Sequence, residues 1–233
     1  MMANKPTIVL VHGFWGGAAH WAKVILQLNK LGYSDVYAVD NPLSSFAADV
    51  ERTRKMIAQV KGPVLLVGHS YGGAVITEAG NHPDVVGLVY IAAFAPDAGE
   101  NLAQIGEAAP PPAGAANIAP DSDGYVWIKP DKFGESFCQD LPAAEQLVMA
   151  ITQKAPVGGT FGEKVTTPAW KTKPSWYQIS SEDRMIHPEN QKRMSARLGA
   201  KKVITLAAGH ASLASKPDEV TALIDEAATA LSA

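Results

Sequence analysis

The sequence predicts an α/β fold, a doubly wound, mostly parallel sheet of about six strands, and two observations carry that prediction. Short apolar, β-branched runs alternate with segments of helical periodicity along the chain: Thr7 to Val11, Val36 to Val39, Val64 to Val67, Val85 to Ala92, Trp176 to Ile179 and Val203 to Leu206. Runs of this kind read as strands buried on both faces, which is how parallel sheets are built. Between the first two, Trp21, Val24, Ile25, Leu28 and Leu31 recur at helical spacing, and Gly32 stands where a helix end needs a left-handed residue. That is one βαβ crossover, and its repetition implies a doubly wound sheet.

Further helices fit Phe46 to Val60, Gly72 to Asn81, Pro188 to Leu198 and Asp218 to Leu231, the last opened by Ser215 with Asp218 three residues on, as in a capping box. One stretch breaks the alternation. Residues 97–173 hold three consecutive prolines at 110 to 112, several glycines, and the aromatics Tyr125, Trp127, Phe133 and Phe137. An insertion of that length inside a compact domain is expected to be functional, and it reads as a lid between the fourth and fifth strands of a single domain spanning 1–233.

With 233 residues and 47% hydrophobic composition, the chain can bury a core without disulfide or metal. A net charge of −3 and no dense run of Lys and Arg argue against nucleic acid as a partner. The lone Cys138 excludes an intrachain disulfide and offers no zinc spacing, so it reads as a buried, inert thiol. The amino terminus lacks a signal-peptide pattern, and no run approaches the ~20 apolar residues of a membrane span. A cytoplasmic protein, monomer or homodimer, with no membrane partner is expected.

Gly68-His69-Ser70-Tyr71-Gly72 matches G-x-S-x-G between a strand and a helix, the context that motif needs. A serine projected from so sharp a turn is strained, and Gly68 and Gly72 leave it room. The same string could be a phosphate-binding turn at a helix terminus. Against that, the other parts of a nucleophilic site follow in order. The first strand ends in His12-Gly13-Phe14-Trp15-Gly16-Gly17, placed to supply one oxyanion donor while the residue after the serine supplies the other. The N–H groups of Phe14 and Tyr71 are the expected donors, with Trp15 as the alternative in the loop. His12 is expected to brace that loop, and the His69 side chain to point away along the elbow. Gly13, Trp15 and Trp127 are expected at the substrate.

Of the histidines after Ser70, His210 follows a strand and precedes the final helix, at the carboxyl edge of the sheet where a site belongs. It is the expected base. His82, beside Pro83, and His187, before Pro188, suit structural or exposed roles. Asp183, just past the strand through Ile179, is the expected acid, with Glu182 and Asp97 as competitors.

Val11-His12-Gly13, Leu66 to Gly73, Tyr90-Ile91-Ala92-Ala93-Phe94 and Gly209-His210 with Ser215-Lys216-Pro217 together resemble the plant methylesterase and hydroxynitrile lyase branch of the α/β-hydrolase superfamily and its bacterial esterase relatives. The resemblance covers nearly all of the chain except residues 97–173. It implies a cofactor-free, metal-free triad of Ser70, Asp183 and His210, the strand order 4-3-5-6-7-8 of that fold, and hydrolysis of small-molecule esters by an acyl-enzyme route. The lyases carry Thr where this chain has Gly13 and Lys where it has Ala211. Both departures disfavour cyanohydrin cleavage and favour ester hydrolysis, with lyase-like or other Ser/His chemistry on the same scaffold, or a non-catalytic ligand receptor, as the alternatives.

Overall fold

Alternation within each strand decides how the chain packs. In the first strand, β1 (Thr7–Val11), every residue is buried: Ile8 and Leu10 enter one hydrophobic cluster while Val9 and Val11 enter another. The two clusters lie on opposite faces of the sheet, as a period of two requires. One holds Trp21, Val24 and Leu28 against the C-terminal helix; the other is the larger. The computed structural model describes residues 5–232, so the expectation about the amino terminus falls in part outside the described residues.

The sheet has six strands, all parallel: β1, β2 (Val36–Val39), β3 (Val64–His69), β4 (Val85–Ile91), then, beyond the insertion, β7 (Ser175–Ser180) and β8 (Lys202–Leu206). A separate antiparallel hairpin, β5 (Ile118–Pro120) and β6 (Val126–Ile128), lies within 97–173. The order in the main sheet is β2-β1-β3-β4-β7-β8, the order implied by the resemblance. The chain reverses its direction of winding between β1 and β3. At such a switch point the loops leaving two neighbouring strands diverge and open a crevice.

Helix α1 (Ala22–Lys30) ends at Gly32 with φ +85, the left-handed residue its C-terminus is expected to need. Helix α2 (Phe46–Ile57) is capped by the Ser45 side chain, which accepts the N–H of Ala48, and α3 (Tyr71–Ala79) leaves the elbow. The insertion carries three short helices, α4 (Leu102–Glu107), α5 (Phe133–Phe137) and α6 (Ala143–Ile151). After β7 and α7 (Pro188–Arg197), the chain closes with α8 (Ser212–Ser215) and α9 (Pro217–Ala230).

The capping role expected of Ser215 does not occur. Ser215 ends α8, its buried hydroxyl has no partner, and Lys216 precedes α9. Pro217 explains the difference: its preset φ and missing N–H suit the first helical position, so the helix starts there and draws on Asp218 and Glu219 in its first turn.

Candidate active site

The elbow between β3 and α3 puts Ser70 at φ 56 and ψ −125, a conformation that costs a non-glycine residue energy and holds only where the surroundings impose it. Close packing imposes it here. An added Cβ at Gly68 would fall 2.6 Å from the carbonyl of Gly72, and one at Gly72 would fall 2.3 Å from the carbonyl of Val11. Gly72 is thus small because β1 passes behind it, rather than to relieve the serine itself.

Ser70, His210 and Asp183 come together in one hydrogen-bonded chain. The Oγ of Ser70 lies 2.8 Å from Nε2 of His210, and Nδ1 of His210 lies 2.7 Å from Oδ2 of Asp183. Because the carboxylate can only accept, Nδ1 carries the proton and Nε2 is left as the acceptor for the serine hydroxyl. The Asp183 carboxylate receives four donors: the N–H groups of Met185 and Ile186 on Oδ1, and Gln191 Nε2 with His210 Nδ1 on Oδ2. Every lone-pair position is filled, so the carboxylate, and the imidazole with it, has one orientation. The Oε1 of Gln191 accepts the N–H of Ser180, tying α7 to the end of β7.

The competing acids lie elsewhere. Asp97 pairs with Lys171 at 2.5 Å, which holds its carboxyl below the ordinary range, and Glu182 is exposed. His187 caps α7 by accepting the N–H of Glu189, and His82 faces the backbone N–H of Asp84. His12 braces its loop as expected: its Nε2 accepts the N–H of Asn41 and its Nδ1 lies 2.8 Å from the carbonyl of Gly13.

His69 departs from expectation. Its ring turns behind the base, 4.8 Å from the His210 ring, with Nε2 2.8 Å from the His210 carbonyl oxygen. Burial holds this imidazole well below its ordinary pKa, so it stays neutral and donates to that carbonyl.

The loop after β1 crosses directly over the nucleophile. The N–H of Trp15 is bonded to the carbonyl of Lys154, which removes Trp15 as an oxyanion donor. Among the described residues, the N–H groups of Phe14 and of Tyr71, the first residue of α3, have no acceptor. The Trp15 indole donates to the carbonyl of Val126 at 2.8 Å, so this side chain fastens the insertion to the core. Trp127 faces the other way. On β6 its neighbours Val126 and Ile128 turn inward, leaving Trp127 39% exposed with its indole bonded to Asp121. The period of two that buries its neighbours takes Trp127 away from Ser70.

Sequence reasoning misses the roles of three residues around this site. Phe137 packs edge-on against the His210 ring at 4.8 Å, and its carbonyl accepts the N–H of Ala211. Asp140 accepts the N–H of Gly209. Gln191 completes the shell of Asp183. The first two lie on the insertion, where no strand or motif fixes a partner; the signal for Gln191 is a helix opening five residues past the acid. Among the described residues, no group of three or more His, Cys, Asp or Glu side chains could hold a metal ion, and no helix is long and apolar enough to cross a membrane.

Known proteins share both the sequence pattern and this architecture. The chain is 30% identical to the "Alpha/beta hydrolase nvfD" of Aspergillus novofumigatus (strain IBT 16806), over 96% of this chain and 97% of that one. It is 26% identical to "Methylesterase 7" of Arabidopsis thaliana, over 97% of each. A pyrethroid hydrolase structure from Sphingobium faniae JZ-2 superposes with a TM-score of 0.81 at 23% identity, covering 97% of this chain and 98% of that one. Residues 8–223 match the profile of the Alpha/beta hydrolase family, and it is to this family that the chain belongs.

Proposed function

We propose that the protein hydrolyses small carboxylic esters through an acyl-enzyme on Ser70. The observation that carries this reading is the unbroken relay from Ser70 Oγ through His210 to Asp183, at 2.8 and 2.7 Å. His210 Nε2 takes the serine proton as Oγ bonds to the ester carbonyl carbon, and the N–H groups of Phe14 and Tyr71 hold the resulting oxyanion. The imidazolium, steadied by Asp183, then returns its proton to the departing alkoxide as the ester C–O bond breaks. Water, deprotonated by the same nitrogen, releases the acid.

Phe14, Phe161 and Trp15 form an aromatic cluster beside the loop, with Phe14 and Phe161 centroids 4.7 Å apart. This favours a small or aromatic apolar substrate. Ser70 is 4% exposed and His210 fully buried, so the insertion acts as a lid that must part to admit the ester. The esterase name borne by Methylesterase 7 supports the reaction class.

Mixing with p-nitrophenyl acetate tests this. A burst of p-nitrophenol equal to the enzyme is expected, followed by steady turnover, with a loss on the order of 10⁶ in kcat for Ser70→Ala, the scale known from subtilisin. A Ser70→Ala variant as active as the parent would overturn it.

A further inference from the structure

The two N–H groups assigned to the oxyanion belong to residues whose side chains touch. The rings of Phe14 and Tyr71 are stacked, with centroids 3.9 Å apart and planes 15° from parallel. The Tyr71 hydroxyl donates to Oδ2 of Asp49 at 2.6 Å, and burial pushes that hydroxyl well above its ordinary range, so it remains a donor. Asp49, in the first turn of α2, is fully buried. Its other oxygen accepts the N–H of Leu43, itself at φ +60.

A buried carboxylate is costly even when hydrogen-bonded, and an apolar side chain would pack in its place at less expense. What the carboxylate adds is direction. It fixes where the Tyr71 phenol points, and the phenol fixes the plane on which Phe14 lies. The two donors sit on different loops, one after β1 and one at the elbow after β3, so nothing in the sheet alone sets the spacing between them to the few tenths of an ångström that oxyanion binding needs.

We propose that Asp49 is a positioning residue for the oxyanion site, acting through the Tyr71 hydroxyl and the Tyr71–Phe14 stack to hold both backbone donors in register. This rests on the ester-hydrolase reading above. Because the oxyanion exists only during reaction, the effect belongs in kcat and not in KM.

The test compares the parent with Tyr71→Phe, Asp49→Asn and the double variant. Four quantities are read: kcat and KM on p-nitrophenyl acetate, inhibition by an aryl trifluoromethyl ketone that forms an oxyanion on serine, and the rate at which a fluorophosphonate labels Ser70. Each single variant is expected to lose about 5- to 50-fold in kcat with KM within twofold, and to weaken the ketone by the same factor. The double variant should be no worse than the poorer single, since both act through one contact. Melting curves establish folding, and if one single variant does not fold the other carries the test. Folded variants that keep kcat and inhibition within twofold, or that change KM alone, overturn the proposal, as do losses that multiply. If the parent turns over no ester, the function reading fails but the labelling rate still decides the role of Asp49, because the phosphonyl oxygen uses the same two N–H groups. A Ser70 that takes no label removes both.

Discussion

The backbone of Gly13 lies against the nucleophile: a Cβ added there would come within 2.6 Å of the Ser70 Cβ and 2.9 Å of the His69 carbonyl. Neither neighbour can yield, since the serine is held in a strained elbow and the carbonyl belongs to the end of β3. Gly13→Ala is therefore expected to displace Ser70 relative to the oxyanion donors and to cost about 100-fold or more in kcat, with the burst amplitude reduced as well. Stopped-flow assay of a short nitrophenyl ester checks this. Full activity in the alanine variant would show that the loop can retreat.

Asp183 offers a graded pair of variants. Asp183→Asn presents an amide to Nδ1 and favours the wrong imidazole tautomer; the equivalent change in a trypsin-like serine protease loses about 10⁴ in kcat, and a loss of that order is expected here. Gln191→Leu leaves the acid in place but removes one of its four donors and the acceptor for the Ser180 N–H. A loss of about 10- to 100-fold is expected, by analogy with outer-shell partners of other sites. Steady-state kinetics on both variants would rank them.

Trp15 makes its own prediction because its backbone and its indole both bind the insertion. Trp15→Phe keeps the backbone bond to Lys154 but orphans the Val126 carbonyl. A stability loss of about 1–2 kcal/mol is expected, with faster amide exchange confined to residues 124–128 and 154–157. Unchanged exchange in those peptides would mean that the indole bond contributes nothing to holding the insertion down.

Two imidazoles outside the relay set an acid limit. Burial pushes His20 down to about 4 and holds His69 well below its ordinary value. The unfolded chain thus binds protons that the folded chain refuses once the pH drops below about 6.5. Stability that is complete above that pH should be lost progressively as the pH falls toward 4. Melting temperatures taken from pH 7.5 to 4 should decline, and His20→Gln should flatten the upper part of that decline. Identical slopes in parent and variant would show that His20 titrates normally.

Local signals make the sheet and the relay legible. β1 and β2 can be read to the residue because each is a short apolar run that ends where its turn begins, but only β1 is buried on both faces; β2 lies at the sheet edge with Tyr37 exposed. Ser70, Asp183 and His210 can be found because each follows a strand, and strand ends in such a sheet share one edge. The insertion is opaque for the opposite reason. Its hairpin and short helices are held by contacts with distant loops, such as Val126 with Trp15 and Phe137 with Ala211, so the outward turn of Trp127 has no local signal. Ser215 misleads because the capping pattern it opens is overridden by the Pro217 that follows it. The Asp49–Tyr71 bond is hidden because an aspartate in the first turn of a helix is ordinarily explained by the helix dipole.

The carbonyl of Phe137 bonds to the residue next to His210, while its ring rests on the imidazole. On the proposed ester-hydrolase reading, parting the insertion to admit substrate would therefore loosen the base at the same moment. Chemistry would resume only after the segment settles again over the bound molecule, so closure and reactivity would form a single equilibrium. Whatever favours the shut form, a well-fitting acyl group included, raises the share of molecules with a poised imidazole, whereas a ligand too bulky for closure would occupy the crevice and go unhydrolysed.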